Sequence, residues 1–463
     1  MASAAEFPAA PPPPPVGGVK FRLCLMMFLQ LFIWGAWFEL GFDYIPSLGF
    51  EKWQNALIFG AFNVGALVAL FFSTQFADRR FAAEKFLGFS HLVGGLALLG
   101  LFLLPQAGPD GKLSTPFWPF FGLMLLHSVF YVPTVSIANS IAFAHLRDPA
   151  REFGPVRAWG TIGWIAASWP FIFILVDWSR VPAFGSVGFV DWIGSALGTA
   201  KEGAAKSDAQ GYIFLVAGAA ALVLAAVSPA LPHTPPRPAA GEDSLAWLKA
   251  AKLLRHPFVA VLFLVTFIDA AVHQSFFYWT ASFLNTDVGI ASNWVTPVMK
   301  IGQLAEIVTM LFLGYVLKSL GWRMTMTIGV LGHAARFAVF AYYPEQVPAV
   351  LINVVHGICY AFFFATVYIF VDEFFPKDVR SSAQGLFNVL ILGVGPFAAN
   401  VICGELRAEY TVDGKLNYPA VFQYSMAASL AGAVLLLVFF HPPRDTVSDR
   451  AAAEAEEEAP PVA

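Results

Sequence analysis

Arg157, Thr161 and Trp164 stand at i, i+4 and i+7, so on a helix they share one face. A guanidinium fork beside a hydroxyl and a large aromatic can grip a hydroxyl-rich or carbonyl-bearing solute, or pair with a buried carboxylate. A loop-end arginine that snorkels to the surface is the plainer alternative for Arg157. A second set comprises Asp269, His273, Gln274 and Phe277. Gln274 offers both a donor and an acceptor. His273 either relays a proton or hydrogen-bonds a neighbouring helix. Asp269 needs a partner or a proton if its surroundings are apolar. The third set is Lys300, Gln303 and Glu306. Gln303 and Glu306 are three residues apart and therefore neighbours on one face. Glu306 lies deep in an apolar run, where a carboxyl that binds and releases a proton suits a proton carrier. Lys300, roughly 9 Å along the axis from Glu306, could neutralise Asp269 or a different carboxylate. A last set is His356 and Tyr360 at i, i+4, followed by Phe362, Phe363 and Phe364. Aromatic faces beside amide and carboxylate groups suit a flat heteroaromatic solute, although most phenylalanines in so aromatic a chain simply pack. Glu39 and Asp43 read as interfacial, and Arg336 has no evident partner.

These residues lie inside hydrophobic segments. Hydrophobic residues make up 58% of the 463 and charged ones only 13%, far less charge than a soluble protein of this length carries. A run of about 20 apolar residues crosses the hydrocarbon core, and lipid-exposed backbone must satisfy its own hydrogen bonds, so such runs are helices. Twelve are expected: 21–45, 53–76, 84–104, 117–145, 157–177 and 210–231, then 257–284, 291–317, 322–343, 346–374, 380–405 and 417–440. The chain reads as an all-α polytopic membrane protein that moves a solute. The breaker-rich stretch Pro232-His233-Thr234-Pro235-Pro236-Arg237-Pro238 splits it into six helices plus six. That is the layout of the major facilitator fold, two bundles rocking about a midplane site. The expected divisions are a disordered lead 1–20, bundles 21–231 and 257–440, a linker 232–256 and a disordered acidic tail 441–463.

With the N-terminus inside, most of the 27 lysines and arginines fall on the inner side, among them Arg79, Arg80, Arg147, Arg151, Lys249, Lys252 and Arg255. By the positive-inside rule both termini are cytoplasmic. Gln75-Phe76-Ala77-Asp78-Arg79-Arg80 is similar to a degraded inner-loop motif of the superfamily and is equally well ordinary positive-inside retention. Met1 to Gly18 has no basic n-region and contains a run of prolines, so it is not a signal peptide. The long outer connection 178–209 reads as a solvated loop, or less simply as a partial lid. Cys24, Cys359 and Cys403 all lie in apolar helices without metal-ligand spacing, so no disulfide and no metal site are expected. No Walker A, HExxH, GxSxG or GxGxxG pattern is present, which argues against an ATP-driven pump or a membrane enzyme, and no cofactor or nucleic-acid partner is expected.

Particular stretches resemble the nucleoside:proton symporter family of the major facilitator superfamily. They are Leu29-Gln30-Leu31-Phe32-Ile33-Trp34-Gly35-Ala36-Trp37, Tyr131-Val132-Pro133-Thr134, Val156-Arg157-Ala158-Trp159-Gly160-Thr161-Ile162-Gly163-Trp164, Arg336-Phe337-Ala338 and Val379-Arg380-Ser381-Ser382-Ala383-Gln384-Gly385. The resemblance implies import of purine and pyrimidine nucleosides with protons. It implies solute contacts at Arg157, Thr161, Trp164, Gln274, Gln303 and Glu306. In the tenth span the family's aromatic–aspartate pair appears here as Tyr360-Ala361, and His356 stands where a tyrosine is usual. Phe277 replaces an asparagine of the seventh span, and Lys300 is outside the pattern. Candidate proton-coupling residues are therefore Glu306, Asp269 and His273. The expectation is a monomeric, multi-pass protein of the cell membrane, in a bacterium the inner membrane, working on a nucleoside and protons amid membrane lipid. Two alternatives stay open: a transporter of another polar solute such as a sugar or nucleobase, possibly uncoupled, and a transporter-like sensor or assembly partner.

Overall fold

Apolar runs that find no water for their backbone close their own hydrogen bonds, and helices dominate the residues described by this computed structural model. Those residues are 18–72, 81–107, 113–147, 149–236, 252–375 and 380–442. The Gln75–Arg80 stretch, most of the linker, the proline-rich lead and the acidic tail lie outside them. Nine stretches among the described residues are long and apolar enough to cross a membrane. The longest, Ser292–Tyr342, is two spans. Gly321, at φ +73° and ψ 172°, breaks it into the eighth and ninth, a backbone conformation that residues with a Cβ rarely adopt. Lys52–Phe72 and Pro149–Ala166, the latter continued by Trp169–Ile174, complete twelve spans. Large apolar side chains point outward along them, such as Leu311 at 79% exposure and Leu103 at 73%. Such exposure is unfavourable in water and suits a lipid-facing surface.

In the first half, the first span (Val19–Ser47) packs on the fifth and on the sixth (Tyr212–Val227), and the fourth (Phe117–His145) packs on the second and on the third (Ala83–Leu103). In the second half, the seventh (Pro257–Thr286) packs on the eleventh (Arg380–Asn388 through Gly395–Tyr410) and the twelfth (Tyr418–Phe439). The helix of the eighth and ninth spans packs on the twelfth and on the segmented tenth, which ends in Thr366–Phe374. The halves meet chiefly where the second span lies on the eleventh and the first on the seventh. The first span begins beside the linker, since Arg22 Nη1 donates to the Ala230 carbonyl at 2.8 Å. We call that the linker end and the opposite one, which carries residues 175–210, the loop end.

Several family-like stretches act as helix-to-helix fastenings. Tyr131 donates its hydroxyl proton to the Gln30 carbonyl at 2.5 Å, and the Gln30 amide donates to Thr134 Oγ1 at 2.8 Å. His91 Nε2 lies 2.9 Å from Gln30 Oε1. Gly163 lets the fifth span touch the first: a Cβ there would sit 2.1 Å from the Phe28 carbonyl oxygen. Gly163→Ala is therefore expected to force the two helices apart at a cost of about 1–3 kcal/mol, read as a lowered melting temperature of the detergent-solubilised protein. An unchanged melting temperature would show that the helices separate freely.

Two expectations need correction. The fifth span starts at Pro149, not near 157, because a helix can run past the apolar stretch into polar sequence. Arg157 thus lies two turns inside it. The 178–209 connection keeps much of its surface exposed, as a solvated segment does, but it is not an irregular loop. It contains helices Phe189–Gly198 and Gly203–Gln210, and a cluster in which Trp192 packs 5.9 Å from Trp178 and 5.0 Å from Phe184. Its backbone carbonyls reach the second half: Leu197 accepts from Asn293 Nδ2 at 3.1 Å and Trp294 Nε1 at 2.9 Å, and Lys201 accepts from Ser292 Oγ at 2.9 Å. Lys206 adds 2.7 Å to Asp43 and 2.8 Å to Asn285.

Candidate functional site

Between the halves lies a cavity of about 290 Å³, close to the lower bound of roughly 300 Å³ typical of small-molecule pockets. The fifth span contributes Arg157, Thr161 and Trp164, the seventh His273, Gln274 and Phe277, the eighth Gln303 and Glu306, and the tenth His356 and Tyr360. Every residue expected to contact solute is thus on the wall of one cavity. Helical spacing explains each local set, and packing of the halves brings the sets together. Among the described residues Arg157 and Glu306 form no ion pair, so a cation and a carboxyl face the space from opposite halves.

Aromatic side chains make most of the remaining wall. Trp34, Phe38, Phe59 and Phe62 come from the first two spans and Phe364 and Tyr368 from the tenth. Trp34 packs edge-on to Trp164 with ring centres 5.3 Å apart, and Phe38 lies 5.2 Å from Phe277 across the halves. A π-helical turn at Tyr360–Ala365 lies in the part of the tenth span that supplies Tyr360 and Phe364. Such turns are often found at functional sites. Sequence reasoning missed Trp34, Phe59, Phe62 and Asn63. Trp34 lay within a family-like stretch, and the signal of the others was aromatic or amide identity inside apolar runs, which a packing role matches equally well. Asn63 is fixed by donating to the Leu392 carbonyl at 2.9 Å, and its Oδ1 accepts from Asn400 at 3.4 Å. Asn400 in turn accepts from Gln274 Nε2 at 3.0 Å. Gln274 is therefore held by an amide chain running from the second half to the first.

Asp269 does not line the cavity. It is buried behind it, its Oδ2 3.7 Å from His333 Nε2. Arg336, with no exposed surface, donates from Nη2 to His333 Nδ1 at 2.8 Å and from Nη1 to His356 Nδ1 at 2.7 Å. The partner not evident from sequence is this pair of histidines. Arginine can only donate, so both rings accept at Nδ1 and hold their proton on Nε2. His333 then points its N–H toward Asp269. His356 points its own toward the Gln303 amide 3.4 Å away. Gln303 Nε2 is the atom that faces it, so the amide has to rotate for its oxygen to accept that N–H. His273 stacks on His356 with ring centres 5.1 Å apart. A row of polar groups, hydrogen-bonded at Arg336 and looser at Asp269, thus runs from Asp269 to the cavity edge.

Lys300 pairs with neither Asp269 nor a surface acid. Its Nζ lies 2.8 Å from Glu39 Oε1, and both residues are buried. Glu39 is therefore not interfacial. Cys24, Cys359 and Cys403 are free thiols.

Twelve packed spans around a central, aromatic-walled cavity with a few polar groups define a transporter of the major facilitator type. The family model described as a nucleoside H+ symporter matches residues 17–183 and 174–445. The chain belongs to that family, a family of transporters and not of enzymes. It is 30% identical over 434 residues to the putative nucleoside transporter YegT of Escherichia coli, covering 90% of this chain and 93% of that one. The xanthosine permease of Escherichia coli is 25% identical over 441 residues, with 91% of this chain and 96% of that protein covered. Among solved structures, the nucleoside transporter NupG shares the fold with a TM-score of 0.74 at 22% identity, over 92% of this chain and all of its own. A D-xylose–proton symporter does so with a TM-score of 0.60 at 13% identity, over 91% of this chain and 98% of its own.

Proposed function

We propose that this protein imports nucleosides with protons across the cell membrane by alternating access, the bundles 21–231 and 257–440 rocking about the central cavity. The observation that carries the reading is convergence. Arg157 and Thr161 from one half and Gln274, Gln303 and Glu306 from the other face one aromatic-walled cavity. A nucleoside presents a flat base that stacks on aromatic faces and a ribose and base edge that hydrogen-bond to amide, carboxyl and guanidinium groups. Relatives named as a nucleoside transporter and a xanthosine permease agree with that chemistry. Glu306 carries the proton in this reading. His273, on the cavity wall, and Asp269, behind it, are the other places a proton could reside. The positive-inside bias puts both termini in the cytoplasm, in a bacterium beneath the inner membrane, with the monomer as the working unit. The loop end is then the outer end, closed here by contacts between the halves.

Uptake of labelled uridine, adenosine and glucose into vesicles, with and without an imposed proton gradient, tests the proposal. Gradient-driven accumulation of a nucleoside and none of glucose is expected. Glucose accumulation, or no transport of any of the three, would overturn it. Within the site, Gln303→Ala is expected to weaken nucleoside binding about tenfold or more, since leaving a buried partner unsatisfied costs roughly 1–3 kcal/mol. Equilibrium binding to the purified protein reads this out, and unchanged affinity would make Gln303 a packing residue.

A further inference from the structure

We infer that Lys300, anchored by Glu39, is a positioning residue for Trp164, and that closure of the loop end and occupancy of the cavity are thereby linked. The solute half of this rests on the nucleoside reading above. Glu39 belongs to the first span and Lys300 to the lead-in of the eighth, so their ion pair joins the two halves. Each lies eight residues from the start or end of its span at the loop end, about 12 Å deep at 1.5 Å per residue. Toward the loop end, the Lys206–Asn285 hydrogen bond and the carbonyl contacts of residues 197 and 201 close the same side. Toward the cavity, the Lys300 ammonium lies 4.4 Å from the centre of the Trp164 ring. Trp164 is itself a wall of the cavity. The indole thus touches both the cation and the solute space.

The physical consequence follows from where the charges sit. Opening the loop end separates the first span from the eighth and takes the lysine away from Glu39. The geometry that holds Lys300 against Trp164 exists only while that end is closed. A solute that stacks on Trp164 in its Lys300-bound setting favours the closed state. By thermodynamic reciprocity, closing the loop end then strengthens solute binding by the same factor. A buried pair used only for packing would hold the helices together without producing that link.

The test uses Phe42→Cys as a reporter in the full-length protein in lipid nanodiscs, with C24A, C359A and C403A. Phe42 is 2% exposed and packs against Phe59 and Tyr278 toward the loop end. A charged methanethiosulfonate therefore labels the reporter when that end opens. Labelling is followed without solute and with uridine or adenosine. In the reporter background, slow labelling is expected, slowed a further severalfold by nucleoside. Glu39→Gln with Lys300→Met removes both charges and strands neither. It should raise solute-free labelling about tenfold and abolish the nucleoside effect. Glu39→Lys with Lys300→Glu restores a pair of opposite charges but leaves no cation in the original place over Trp164. It should return solute-free labelling to a slow rate, still without a nucleoside effect. Slow labelling that keeps its nucleoside effect in the neutral double variant would overturn the inference. Nucleoside binding is measured separately on the same samples. If the background binds neither nucleoside, the functional reading fails. The lock is then judged on the solute-free rates alone, where a tenfold rise supports it and an unchanged rate refutes it.

Discussion

Glu306→Gln is expected to bind nucleoside and to exchange it between the two sides of the membrane, yet to lose accumulation against a gradient. Glutamine mimics the permanently protonated acid, so the solute site keeps its shape and hydrogen-bonding capacity. What disappears is a group that takes a proton on one side and releases it on the other. Glu306 suits that role because it lines the cavity, faces Arg157 from the opposite half and is one helical step from Gln303. Without coupling, the steady-state ratio of inside to outside nucleoside should fall to about one, while counterflow of labelled against unlabelled nucleoside continues. Gradient-driven accumulation that survives in Glu306→Gln would move the assignment to Asp269 or the histidines.

The second large effect is expected at the buried cluster behind the cavity. Asp269→Leu removes the carboxylate from the network that surrounds Arg336. The guanidinium stays charged at any physiological pH, has no exposed surface and would keep only two neutral imidazoles as acceptors. Stranding a buried charge this way costs about 3–5 kcal/mol, enough to lower both melting temperature and yield sharply. Asp269→Leu combined with Arg336→Met removes both charges and should be more stable than Asp269→Leu alone. Such non-additivity is what coupled neighbours show. Thermal unfolding of Asp269→Leu, Arg336→Met and the double variant in detergent decides. If Asp269→Leu is as stable as the parent, Arg336 is neutralised elsewhere. Asp269→Asn, which preserves shape, further separates a structural acid from a coupling one. A stable but uncoupled Asp269→Asn would make Asp269 a proton carrier.

How much of this is legible in the sequence follows from how local each feature is. Apolar run length determines the helical, membrane-spanning class, because backbone in hydrocarbon has few alternatives. Helical spacing within a span is enough to place Arg157 with Thr161 and Trp164, and Gln303 with Glu306. Gly321 marks the break between the eighth and ninth spans, and the boundary read from hydrophobicity falls beside it. Polar helical extensions such as Pro149 to Val156 are invisible to a search for apolar runs.

Everything that depends on which helix faces which is decided by tertiary packing. Lys300 has several carboxylates within plausible reach along the sequence, and only the crossing of the first and eighth spans selects Glu39 over Asp269. Arg336 finds His333 one turn away on its own helix and His356 on the next span, a pairing set by the contact between the ninth and tenth. The order of the 178–209 segment is not legible because its polar and glycine residues carry no run-length signal. Its order comes from partners at 285 and 292–294 in the other half. Sequence by itself determined what each span offers on each face. Which offers meet, and so which charges are neutralised and which remain open to the cavity, is a property of helix packing over distances that no local periodicity encodes.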